Sequence, residues 1–70
     1  MCVVVKMVFP EGGHKFVVSD SVPGALTHAV EIVKADAEKE IFHCADCYYN
    51  DTWYGTATPK GLDRPLVARR

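Results

Sequence analysis

The residues whose types and spacing could carry chemistry are His43-Cys44-Ala45-Asp46-Cys47. A Cys-x-x-Cys pair beside a histidine is a zinc-ligand or dithiol pattern. A zinc site asks for about four ligands converging at roughly 2.0–2.3 Å, and thiol exchange asks for two adjacent sulfurs. Extended backbone sends residues three apart to opposite faces. In a strand, therefore, Cys44 diverges from both Cys47 and His43, and the pattern assembles only if Ala45-Asp46 forms a turn. There is no second Cys-x-x-Cys, so Cys2, His14 and His28 would have to complete a site. The expectation is structural cysteines and no cofactor. The alternative is a zinc-binding or redox module on His43, Cys44 and Cys47.

A cysteine nucleophile needs an imidazole within hydrogen-bond reach, which the same strand geometry denies to His43 and Cys44. Glu11-Gly12-Gly13-His14 precedes a strand rather than a helix, so it lacks the helix N-terminus on which a phosphate loop relies. An enzyme is not expected. The other chemistry-bearing groups are aromatic and basic: Tyr49 and Tyr54 near one turn, and Arg64, Arg69 and Arg70 in the last seven residues.

Those groups must be positioned by a small number of elements. Cys2–Phe9 is rich in β-branched residues. Its alternation sets Val3, Val5, Met7 and Phe9 on one face and Cys2, Val4, Lys6 and Val8 on the other. A strand apolar on nearly both sides is central in its sheet or pairs with another chain. Pro10-Glu11-Gly12-Gly13 is a turn signal. His14–Ser19 resumes as a strand, with Phe16 and Val18 on one face and Lys15, Val17 and Ser19 on the other.

A helix is expected from Ser21 to Glu40. Asp20 and Ser21 suit the N-cap, and Pro23 is tolerated in the first turn. Val22, Leu26, Ala29, Val30, Val33 and Ala37 recur at spacings of three and four, a single apolar stripe. Thr27, Glu31, Lys34 and Glu38 form the polar side. No glycine caps the exit, and Glu38 and Glu40 oppose the helix dipole, so fraying is expected there.

Ile41–Tyr49 and Thr52–Thr58 read as a second hairpin around Asn50-Asp51, residues that tolerate φ > 0. Pairing Tyr49 with Thr52 implies Tyr48–Trp53, Cys47–Tyr54, Asp46–Gly55, Ala45–Thr56 and Cys44–Ala57. Phe42, Cys44, Tyr48, Trp53, Gly55 and Ala57 then face the helix. His43, Tyr49 and Tyr54 face outward. Asp46 is a misfit on the helix side, tolerable beside Gly55 at an edge or bulge. The fold class is α+β: a small antiparallel sheet of two hairpins (ββαββ) with one amphipathic helix on one face. Residues 1–58 form the domain and 59–70 a basic tail containing Pro and Gly, which can dock through Leu62, Leu66 and Val67.

Gly12-Gly13-His14-Lys15-Phe16-Val17-Val18, followed by Val22-Pro23-Gly24, resembles the strand-and-Pro-Gly portion of HicB-type antitoxin domains. That family places a further strand before its helix, whereas here the helix follows at once. Nothing about function is carried over.

Seventy residues allow one domain whose core is barely sufficient, which makes a homodimer or bound partner a fair expectation. Apolar residues are 49% and charged residues 24% of the chain, the ordinary globular range. Residues 1–58 carry four lysines against eight acids, and residues 59–70 one lysine and three arginines against Asp63. An acidic body argues against nucleic-acid binding by the folded part. No apolar run is long enough to span a bilayer, no cleavable leader is visible, and an odd cysteine count fits a reducing, cytoplasmic setting. The function expected is a small protein-binding regulator or inhibitor that masks a partner's surface. Chains of this size occur among phage and mobile-element inhibitors of CRISPR–Cas complexes or RNA polymerase. His43, Tyr49, Tyr54, Arg64, Arg69 and Arg70 are the candidate contacts. A further alternative is weak nucleic-acid binding, with bases stacked on the tyrosines beside the tail arginines.

Overall fold

A computed structural model describes residues 2–63. The elements in chain order are β1 (Val3–Val8), β2 (His14–Ser19), α1 (Val22–Glu38), β3 (Ala45–Tyr49), β4 (Thr52–Thr58) and β5 (Gly61–Asp63). They form one antiparallel sheet in the order β2-β1-β3-β4-β5, with α1 packed on one face. The α+β class and the helix-on-sheet arrangement are as the sequence implies, with a fifth strand added. β1 is an interior strand, paired with β2 on one side and β3 on the other. That placement accounts for its two apolar faces. α1 carries the chain from β2 over β1 to β3.

The turns follow residue chemistry. Gly12 and Gly13 take φ of 104° and 92° in the β1–β2 turn, where the Gly12 N–H donates to the Phe9 carbonyl at 3.0 Å. Asn50 and Asp51 both sit at positive φ, 51° and 61°, the two-residue hairpin geometry expected of them. Ser21 caps α1, its Oγ accepting the Gly24 N–H at 3.1 Å.

The helix exit differs from expectation. Rather than fraying to Glu40, α1 stops at Glu38 and closes. The Glu40 N–H donates to the Ala37 carbonyl and the Ile41 N–H to the Asp36 carbonyl, at 3.0 and 2.9 Å. This paired closure needs a left-handed residue, a role usually filled by glycine. Here Glu40 takes it, at φ 66°.

The core lies between α1 and the sheet. Ala25, Leu26, Ala29, Val30 and Val33 from the helix meet Val5 and Met7 of β1, Val17 of β2, Ala45 and Cys47 of β3 and Ala57 of β4. Small residues on β3 and β4 leave room for the helix to come close.

The hairpin register is corrected after its first two pairs. Tyr49–Thr52 and Tyr48–Trp53 pair as expected. Then Cys47 meets Gly55, Asp46 meets Thr56 and Ala45 meets Ala57, with a bulge that leaves Tyr54 as the extra residue. One inserted residue reverses which side of the opposite strand is buried. Ala45 and Cys47 therefore face the helix, while Tyr48, Asp46 and Trp53 face away. The strand also begins at Ala45, so Ile41–Cys44 is a loop.

The sheet continues past Thr58. Its Oγ1 donates to the Gly61 carbonyl at 2.8 Å and accepts the Lys60 N–H at 3.1 Å, folding Pro59-Lys60 into a tight turn that returns Gly61–Asp63 against β4. The expected tail thus contributes a strand from its first residues. Arg64, Arg69 and Arg70 lie outside the described residues.

Candidate functional site

Among the described residues, no element covers the sheet face opposite α1. Reading across the strands, its residues are Phe16 and Val18 on β2, Val4, Lys6 and Val8 on β1, Asp46 and Tyr48 on β3, and Trp53 and Thr56 on β4. Phe16 is 58% exposed, Val18 57%, Val4 47% and Trp53 36%. Large apolar side chains this open, gathered on one face, are the informative departure from ordinary surface composition. Lys6 sits between Phe16 and Tyr48 as a cross-strand neighbour of both. Phe42, 75% exposed, and Ile41, 49%, add open apolar surface in the loop before β3.

Asp46 holds the aromatic part of this face in place. Its Oδ1 accepts from the Trp53 indole N–H at 3.3 Å and from the Thr56 hydroxyl at 2.8 Å. The carboxylate that fits poorly on a helix-facing side is thus an acceptor on the open side, and it fixes the orientation of the indole.

The sequence-predicted site residues are redistributed. Tyr49 and Tyr54 are not on the open face. Both pack half-buried against the core on the helix side, their rings edge-on with centroids 6.3 Å apart. The reason is that β3 turns its Ala45, Cys47 and Tyr49 side toward α1, and the bulge brings Ala57 of β4 to that same side, along with Tyr54. His43 is not a strand residue facing solvent. It lies in the loop with a side chain only 13% exposed, its Nε2 2.8 Å from Asp36 Oδ2 and its ring stacked on Phe9 at 4.6 Å. Glu11 Oε2 is 4.0 Å from the other ring nitrogen. These contacts tie the end of α1 to the β1–β2 turn.

The cysteines are dispersed in their environments. Cys47 is fully buried beneath α1, Cys44 is half-buried in the loop and Cys2 is exposed; all three are free thiols. Burial pushes the Cys47 thiol above its ordinary range. A hydrogen bond with the Ala57 backbone partly offsets that, and the nearby Asp46 charge adds to it. A thiol held protonated is a poor nucleophile and a poor metal ligand. Among the described residues, no group of three or more His, Cys, Asp or Glu side chains is set to hold a metal ion. Among the described residues, no helix is long and apolar enough to cross a membrane.

The hollow lined by Val22, Pro23, Leu26, Tyr54 and Leu62 offers an apolar lining with no acid or base. The open face was partly legible in sequence. Val4, Val8, Phe16 and Val18 are apolar residues on the sides of β1 and β2 that the helix does not need. Tyr48 and Trp53 were hidden by the register.

Fold and surface together define a two-layer α+β domain in which α1 packs on one face of the sheet. No protein-family model, no curated protein and no solved structure matches the chain.

Proposed function

We propose that this protein is a non-enzymatic binding module, a regulator or inhibitor that masks a protein partner's surface with the open face of its sheet. The carrying observation is the aromatic and aliphatic patch of Val4, Phe16, Val18, Tyr48 and Trp53 around Lys6. Aromatic side chains supply large, rigid contact area with a polar handle and dominate the energetics of many interfaces. The Trp53 indole is already oriented by Asp46, which lowers the ordering cost of contact.

Charge favours a protein over a nucleic acid. Lys6 is the lone lysine or arginine of this face among the described residues, and Asp46 lies on it too. Phosphate binding draws on clustered cations, which the described residues of this face do not supply. The partner surface that fits is apolar, with an acidic group placed to meet Lys6.

The test uses the full chain as bait in a lysate of its source cells. A stoichiometric partner retained by the wild type should be released by Tyr48→Ser/Trp53→Ser and kept by Glu31→Lys on the helix. Two interfacial aromatics at about 1.4 kcal/mol each weaken binding on the order of a hundredfold. Equal retention by the double variant, or loss with Glu31→Lys, would place the interface elsewhere.

A further inference from the structure

The two edges of the sheet are guarded very differently. β5 is three residues long, starts at Gly61 and follows a Pro59-Lys60 turn. Short, turn-flanked edges discourage pairing with another chain. β2 is six residues long, His14–Ser19, with no proline inside it and an unbroken register to β1. No described strand pairs with its outer edge, whose backbone donors and acceptors face away from β1. Phe16 and Val18, the two most exposed apolar residues within the strands, lie on this strand.

We infer that β2 pairs with β2 of a second copy, antiparallel across a two-fold axis at Val17, joining two five-stranded sheets into one of ten strands. An antiparallel edge pairing of identical strands has its axis perpendicular to the sheet. Directly opposed residues share a face, so the axis passes a residue rather than a gap between residues. Only two central registers need comparing. With the axis at Val17, Phe16 opposes Val18 of the second copy twice, Lys15 opposes Ser19, and His14 opposes Asp20. The aromatic–β-branched pairs are favourable cross-strand neighbours, and His14 meets an acid in both halves. With the axis at Phe16, His14 opposes Val18, Lys15 opposes Val17, and Asp20 opposes Gly12. The Val17 register alone is complementary in both shape and charge. His14, Phe16, Val18 and Asp20 are all exposed in the single chain, so each is free to make these contacts.

The pairing keeps both helices on one side and merges the two open faces on the other. It therefore doubles the recognition surface without using Tyr48 or Trp53. It does not depend on what that surface binds.

Light scattering on the purified full chain reads the result. The expected mass is twice the 7.7 kDa of one chain. Val18→Lys removes both Phe16–Val18 pairs and should weaken self-association about tenfold or more, with circular dichroism unchanged because the side chain is exposed. Trp53→Ala should leave the dimer intact. Asp20→Lys, which sets a cation against His14, should weaken it independently of Val18. A monomer at the highest soluble concentration would overturn the inference. So would a dimer that survives Val18→Lys, or one broken by Trp53→Ala, since the copies would then meet through their faces. Failure of the face-binding proposal would leave these outcomes unchanged.

Discussion

Neighbouring residues on β1 should respond to substitution in opposite ways. Met7 is the largest fully buried side chain and lies beneath α1, opposite Cys47 on β3. Lys6, one residue earlier, is exposed on the other face. Met7→Ala deletes buried atoms and leaves a cavity, at a cost of about 3 kcal/mol. Stability of about 0.05–0.15 kcal/mol per residue gives a chain of this length roughly 4–10 kcal/mol in all. At about 4–8 °C per kcal/mol for a small domain, the melting temperature should fall by about 12–24 °C. Lys6→Ala should stay within about 0.5 kcal/mol. Met7→Leu, close in volume, should cost less than about 1.5 kcal/mol and serves as the control if Met7→Ala is largely unfolded. Thermal and urea denaturation of the three variants decide the matter. Equal losses for Met7→Ala and Lys6→Ala would refute a helix on one side of β1 and an open face on the other.

Three further outcomes follow from local geometry. Ser21→Ala removes the hydroxyl that caps Gly24 and should cost about 1 kcal/mol in urea denaturation. Glu40→Gly should stabilise the chain by about 1 kcal/mol, because it frees a left-handed residue at φ 66° and removes a negative charge from a helix C-terminus; a loss of stability would contradict the observed closure. The folded chain holds the Cys47 proton to higher pH than the unfolded chain does, since its thiol is raised above 9.0. Stability is therefore unaffected by this group below pH 9.0 and declines above it. The decline should be shallower in Cys47→Ala, and alkylation at neutral pH should label Cys2 while sparing Cys47 until the chain unfolds.

How far the structure could be read from the sequence depended on whether a signal was local. The apolar alternation of β1, the Ser21 cap and the Asn50-Asp51 turn each act within a few residues, and each held. The β3–β4 register did not, because Trp53, Tyr54 and Thr56 suit a strand on either face and do not fix where a single-residue bulge falls. Two signals pointed to it, a carboxylate at Asp46 on a side taken to be buried and a glycine at 55. The cost of the slip fell on the candidate site, since it exchanged Tyr49 and Tyr54 for Tyr48 and Trp53. β5 was missed because its turn depends on the Thr58 hydroxyl, and three residues give no periodicity to read. His43 leaves the surface because it lies in the loop before β3, held by Asp36 at the end of α1 and by the ring of Phe9, which is distant in sequence.

The most direct measurement is oxidative footprinting of the aromatic residues, in the free protein and in its complex with the captured partner. In the free chain Trp53 and Phe16 should be labelled faster than Tyr49 and Tyr54, and complex formation should protect Trp53 and Tyr48. Unchanged labelling of Trp53 and Tyr48 in the complex, with protection instead on the exposed side of α1, would contradict a sheet-face recognition surface.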